Sequence, residues 1–283
     1  MSRPPSLALP PRTRACRMET DRGVFAALDS APPRDVPYAG SVLLVPGFLS
    51  SKEDYLPLLE PLSAGGYRVV AVDGRGQHES AGPADESAYA QAGLAADVLA
   101  WTTALDDGPV HLVGHSMGAL IARAAVLACA APYPWASLTL MGSGPAAIQP
   151  SQQKRIQLLI EWLPVLGKEA VWEEIRKEET RDADLPPAIT EFLRRRWMNT
   201  RTEQITATGR QLLSEPDRVA ELAAAELPKL VVAGRGDYAW PVEWQTDMAV
   251  RLGADQVVIE GADHSPNVER PGETADALLQ FWA

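Results

Sequence analysis

A chain of 283 residues, 46% of them hydrophobic, can bury one large core or a core with a modest insertion. Its formal charge of -11 is the wrong sign for a nucleic-acid partner and reads as a solubility device. Cys16 and Cys129 stand too far apart for a disulfide framework, and no run of His and Cys has metal-ligand spacing. The Pro- and Arg-rich N-terminus lacks the apolar stretch of a secretory signal, and no segment approaches the ~20 apolar residues of a membrane span, so a cytoplasmic location is expected.

Met1 to Pro11 reads as a disordered lead, and Ala15 to Thr20 with Gly23 to Leu28 reads as a hairpin around Asp21-Arg22. Val42 to Val45 is a buried strand ending in Pro46-Gly47-Phe48. Glu53 to Leu62 follows as an amphipathic helix stopped by Gly65-Gly66, then Tyr67 to Val72 as the next strand. After the loop Asp73 to Pro83 come a helix over Ala88 to Leu105, a strand over Val110 to Val113, a helix over Ala119 to Ala130 and a strand over Ala136 to Met141. Such alternation means a mostly parallel sheet covered on both faces, with ligands bound beyond the carboxyl ends of its strands.

The alternation breaks from Ser143 to Leu227. Helical patterns at Gln152 to Leu163, Lys168 to Glu178, Ala188 to Trp197 and Thr202 to Leu213 follow one another without a strand, which predicts a helical lid. Strands resume at Lys229 to Ala233 and Gln256 to Ile259, and Thr274 to Phe281 closes the chain as a helix. The expected division is a core over 12–142 and 228–283 with a lid over 143–227.

Between the Val110 strand and the Ala119 helix lies Gly114-His115-Ser116-Met117-Gly118. A serine at the apex of a strand-turn-helix elbow has its hydroxyl held clear of the sheet, and its neighbours two residues away must be small. A hydroxyl is a weak nucleophile at neutral pH and needs a base, and the base needs an orienting acid. Of four histidines, His115 is turned away by strand alternation, and His111 lies beneath on the strand as a core or sheet-face residue. His78 sits in an earlier loop and could line a pocket. His264 follows the last strand at the carboxyl edge and is the best-placed base. Asp237, in Gly234-Arg235-Gly236-Asp237, is the acid at that edge, since Gly142-Ser143-Gly144-Pro145 offers none and Asp263 is too close in sequence to face His264. The backbone N–H groups of Phe48 and Met117 are candidate oxyanion donors. Trp162, Trp172 and Trp197 could line an apolar pocket or pack the lid, and Arg194-Arg195-Arg196 reads as a solvated helix face.

Through the elbow, Pro46-Gly47-Phe48, Asp73-Gly74-Arg75-Gly76, Gly234 to Asp237 and Gly261 to Pro266, the chain resembles the α/β-hydrolase superfamily, serine-nucleophile branch, over nearly its whole length. The resemblance implies the α/β-hydrolase fold, a mostly parallel central sheet flanked by helices with a helical lid inserted late in the sheet. It implies Ser116, Asp237 and His264 as a triad, Phe48 with Met117 as the oxyanion hole, and no cofactor or metal. Two departures stand out: members often have His-Gly in place of Pro46-Gly47, and Gly in place of His78. A serine at the elbow sets the chain apart from epoxide hydrolases and haloalkane dehalogenases, which use aspartate there. The expected function is a serine hydrolase cleaving an ester or related acyl bond of a small, largely apolar molecule through an acyl-enzyme. Thioesterase, lactonase, carbon–carbon bond hydrolase, lyase or cyclase, and ligand receptor stay open as alternatives.

Overall fold

Side chains of the central strands are buried on both faces, which is what the uninterrupted apolar runs demand. In β3 (Gly40–Val45), Leu43 and Val45 enter one apolar cluster and Val42 and Leu44 the opposite one. The computed structural model describes residues 2–105, 108–178 and 185–283. Met1 of the expected lead and 179–184 of the expected lid lie outside the described residues.

Eight strands form one sheet in the order β1-β2-β4-β3-β5-β6-β7-β8. Beside β3 these are β1 (Thr13–Thr20), β2 (Gly23–Ser30), β4 (Tyr67–Val72), β5 (Val110–His115), β6 (Trp135–Met141), β7 (Lys229–Gly234) and β8 (Asp255–Ile259). The β1–β2 hairpin joins β4 antiparallel, and every pairing from β4 to β8 is parallel. Helices α1 (Leu56–Ala64) and, at the chain's end, Pro271–Trp282 supply apolar side chains to one face. α2 (Gln91–Leu105) and α3 (Met117–Leu127) supply the other.

Between β6 and β7 the chain is helical: α4 (Pro150–Glu178), α5 (Pro187–Asn199), α6 (Thr202–Ser214) and α7 (Val219–Ala223). The two helices expected at Gln152 to Leu163 and Lys168 to Glu178 are parts of α4, bent at Gly167, whose φ of 78 lies outside helical space. This segment has an apolar cluster of its own, centred on Trp172, Phe192 and Trp197. Two buried ion pairs tie it to the sheet's helices and loops: Arg123 to Glu215 at 2.6 Å and Arg196 to Asp54 at 2.8 Å. Arg196 is therefore a core residue and not part of a solvated face, while its neighbour Arg194 pairs with Glu169 in the open.

Three further elements differ from expectation. Residues 2–11 have no regular structure, yet the Ser2 carbonyl accepts a 2.7 Å bond from Arg196, and Leu7 packs on the helical cluster, so the lead is tethered. The expected helix at Glu53 to Leu62 begins as a 3-10 turn, Lys52–Tyr55, before α1. After β7 a helix α8 (Val242–Leu252) was not anticipated, although Val242, Gln245, Met248, Ala249 and Leu252 bury one face at helical spacing. α9 (Pro266–Glu269) and α10 (Pro271–Trp282) complete the chain.

Candidate active site

Ser116 stands at the carboxyl end of β5 with φ 55 and ψ -121, left-handed space that an L-residue occupies at a cost of about 1–3 kcal/mol. The turn closes because its flanking residues have no side chains. A Cβ on Gly114 would lie 2.5 Å from the Gly118 carbonyl, and one on Gly118 only 2.2 Å from the Val45 carbonyl. The Ser116 N–H donates to Met141 at 2.8 Å, anchoring the elbow to β6.

His264 and Asp237 arrive from the loops after β8 and β7. His264 Nε2 lies 3.0 Å from Ser116 Oγ, and Nδ1 lies 3.0 Å from Asp237 Oδ1. Asp237 is held on both oxygens: Oδ1 also accepts the N–H groups of Ala239 and Trp240 at 2.8 and 3.1 Å, and Oδ2 accepts Gln245 Nε2 at 2.9 Å. Burial alone would raise the Asp237 carboxyl, but the attraction and hydrogen bond of His264, joined by the two backbone donors, outweigh it and hold it below the usual carboxylate range. Gln245 is wholly buried and was missed at the sequence level. Its helix was missed too, and only placement on α8 brings it beside Asp237.

The remaining histidines separate cleanly. His115 is turned from the hydroxyl; burial, and then repulsion from His264, push its ring down to about 4, so it is neutral and Nε2 donates to the His264 carbonyl at 2.9 Å. His111 lies on the sheet face, bonded to Ser137 and stacked on Trp282. His78 does not line the pocket, contrary to expectation. Its side chain is buried edge-on against Phe192 at 5.6 Å, its backbone N–H donates to Thr200 Oγ1 at 3.2 Å, and burial pushes its ring down to about 4.

A cavity of ≈ 230 Å³ opens over Ser116 and His264. Its walls are mainly apolar, with Phe48, Ile156, Leu159, Trp162 and Trp240 among them, and Gln152, Arg155 and Glu174 supply polar groups. Of the three helical tryptophans only Trp162 reaches it. Trp172 and Trp197 lie stacked, ring centres 6.5 Å apart, inside the helical segment. Amphipathic spacing shows which helix face is covered but not what covers it, so sequence alone could not separate the three.

The loop after β3 runs against the elbow: a Cβ on Gly47 would lie 3.1 Å from Ser116 Cβ. Gln77 Nε2 donates to the Gly47 carbonyl at 2.9 Å. In a trans peptide the Phe48 N–H points opposite to that carbonyl. Neither the Phe48 nor the Met117 N–H has a backbone partner among the described residues outside the regular elements.

The sequence profile described as the alpha/beta hydrolase family matches residues 42–277. RutD of Variovorax paradoxus (strain S110), named as a proposed carbamate hydrolase, is 28% identical over 257 residues, covering 86% of this chain and 91% of that protein. Among solved structures, a thermophilic esterase from Thermogutta terrifontis superposes with a TM-score of 0.72 at 24% identity, covering 95% of this chain and 97% of the other. The enol-lactonase from Burkholderia xenovorans LB400 superposes with a TM-score of 0.74 at 20% identity, covering 94% and 99%. These structural likenesses carry the fold and not the substrate.

Proposed function

The chain belongs to the alpha/beta hydrolase family, and from that premise we propose that it is a serine hydrolase of carboxylic esters or related acyl bonds in small, largely apolar molecules. The observation that carries the proposal is the continuous relay Asp237–His264–Ser116, with both links at 3.0 Å, beneath an apolar cavity.

His264 Nε2 takes the Ser116 proton as Oγ attacks the acyl carbon. The same nitrogen then returns the proton to the leaving oxygen. Asp237 holds the ring with Nδ1 protonated and stabilises the imidazolium; its four accepted hydrogen bonds restrict it to that orientation. The oxyanion is received by the N–H groups of Phe48 and Met117, each worth about 3–4 kcal/mol when well aimed. Gln77 turns the first of them by holding the Gly47 carbonyl. Water activated by His264 hydrolyses the acyl-enzyme. Residues 143–227 act as the lid, and Trp162 and Ile156 shape the acyl pocket.

The likeness to RutD favours a second reading with the same chemistry, in which the acyl carbon is that of a carbamate. Turnover of p-nitrophenyl esters of increasing acyl length, measured beside thioester, lactone and carbamate substrates, tests both. Ester turnover that Ser116→Ala abolishes supports the main reading. A preference for carbamates moves the assignment to the second, and activity that survives Ser116→Ala while His264→Ala removes it points to a proton shuttle without an acyl-enzyme.

A further inference from the structure

Away from the cavity, a second group of titratable side chains is packed where the 3-10 turn Lys52–Tyr55, the loop after β4 and α5 meet. One ammonium, Lys52 Nζ, stands among three carboxyl groups: Glu53 Oε1 at 2.8 Å, Asp73 Oδ2 at 2.8 Å and Glu79 Oε2 at 2.9 Å. Lys52 thus takes a single oxygen from each glutamate. Of the other oxygens, Glu79 Oε1 lies 3.9 Å from the Nε2 of a buried imidazole, His78, and Glu53 Oε2 is buried with no hydrogen-bond partner among the described residues. The His78 side chain is 1% exposed, and neither ring nitrogen has a hydrogen-bond partner among the described residues. A buried ring with two unsatisfied nitrogens is costly unless a further partner belongs there.

We propose that Glu53, His78 and Glu79 bind one divalent transition-metal ion, with Zn²⁺ the best chemical match. Their ligand atoms lie within 4.8 Å of one another, close enough for small side-chain rotations to bring them onto one ion. One imidazole nitrogen with two carboxylate oxygens is a donor set that suits Zn²⁺, leaving a position for water. Glu79, with 45% of its side chain exposed, opens that position to solvent and gives the ion a route in. Lys52 Nζ donates to Glu79 Oε2 and pairs with Glu53 Oε1, and so plays the supporting part of a hydrogen-bond donor to the ligating carboxylates. None of the three ligands lines the cavity, so the ion is structural. It pins the turn that follows Phe48–Ser50 to the β4 loop, and through His78 against Phe192 and Thr200 to the helical segment.

The test uses the full chain stripped of metal, titrated with ZnCl2 in a calorimeter and melted with and without the ion. One saturable equivalent is expected, with a rise in melting temperature. His78→Ala should weaken binding by about 100-fold and Glu79→Gln by about 10-fold, while Glu86→Gln, an exposed carboxylate elsewhere, leaves it unchanged. Because a buried substitution could spoil folding, X-ray absorption of the Zn²⁺-loaded wild type gives an independent reading: one imidazole among oxygen ligands is expected. Absence of saturable binding, an affinity indifferent to His78→Ala, or a spectrum without imidazole overturns the site.

Discussion

Gly118 at the elbow and Gly209 in α6 are both packed glycines, but they are packed against different things. A methyl on Gly118 would meet the Val45 and Pro46 carbonyls at 2.2 and 2.6 Å, rigid backbone of the central sheet. A methyl on Gly209 would meet the tips of Ile160 and Ile156 at 3.0 and 3.3 Å, ends of side chains that can rotate. The sheet edge is thus assembled by main-chain fit, with the Asp237 side chain held by backbone hydrogen bonds. The helical segment is assembled by side-chain packing and by the ion pairs Arg123–Glu215 and Arg196–Asp54. The first kind of assembly tolerates no added atom, and the second has more freedom to change.

The comparison breaks most sharply at the two glycines themselves. Gly118→Ala should cost more than about 4 kcal/mol and leave little folded protein. Gly209→Ala should change stability by no more than about 1 kcal/mol in urea denaturation, since the gain in helix propensity opposes the displaced Ile160. Equal effects would show that the two regions are built alike.

Asp237→Asn comes next. It leaves the shape of the site intact but lets the amide favour the wrong His264 tautomer, and kcat should fall by roughly 10⁴-fold with KM little changed. A loss confined to KM would remove Asp237 from the relay.

The tryptophans sharpen the same contrast inside the helical segment. Trp172→Ala opens a hole in its buried cluster and should cost about 3–5 kcal/mol in denaturation experiments. Trp162→Ala, at the half-buried rim of that cluster, should cost less stability and instead raise KM for long acyl chains by about 10-fold while short esters are unaffected.

A pH dependence is expected as well. His115 is held neutral by burial, at about 4 against about 6.5 for a free imidazole, so between those values the unfolded chain binds more protons than the folded one. Stability is fully present above the upper value and is lost as pH falls through the lower. From neutrality to about pH 5 the loss from this group is about 2 kcal/mol. His78 and His111, also depressed to about 4 by burial, act in the same direction. His115→Asn should flatten the urea-midpoint profile over this window, and an unchanged slope would show that His115 is not the group responsible.

Legibility divides along the same line. Tyr67–Val72 and the strands at 110, 135 and 229 were readable within two residues because strands buried on both faces leave apolar runs, and the half-buried edge strand at 255 was readable from its shorter run Val257 to Ile259. Ser116, His264 and Asp237 were readable as neighbours because all three follow parallel strands that end on one edge. What escaped depends on distant partners. Arg196 looks like part of a solvated triplet until Asp54 is packed against it, and His78 looks like a pocket residue until α5 covers it. Gln245 escaped for a related reason, since it acquires its meaning only from how α8 is set against its neighbours, whereas the break at Gly167 falls between the two helices expected on either side of it.

The central claim is that Ser116 is a nucleophile activated by His264. Its most direct test is treatment of the purified chain with a fluorophosphonate, beside Ser116→Ala and His264→Ala, with the adduct located by peptide mass spectrometry. The account predicts a single adduct on Ser116 in the wild type, none in Ser116→Ala, and labelling slowed by about 10³-fold or more in His264→Ala. A folded wild type that admits the probe to its cavity yet stays unlabelled, or labelling of Ser116 at an unchanged rate without His264, would contradict it.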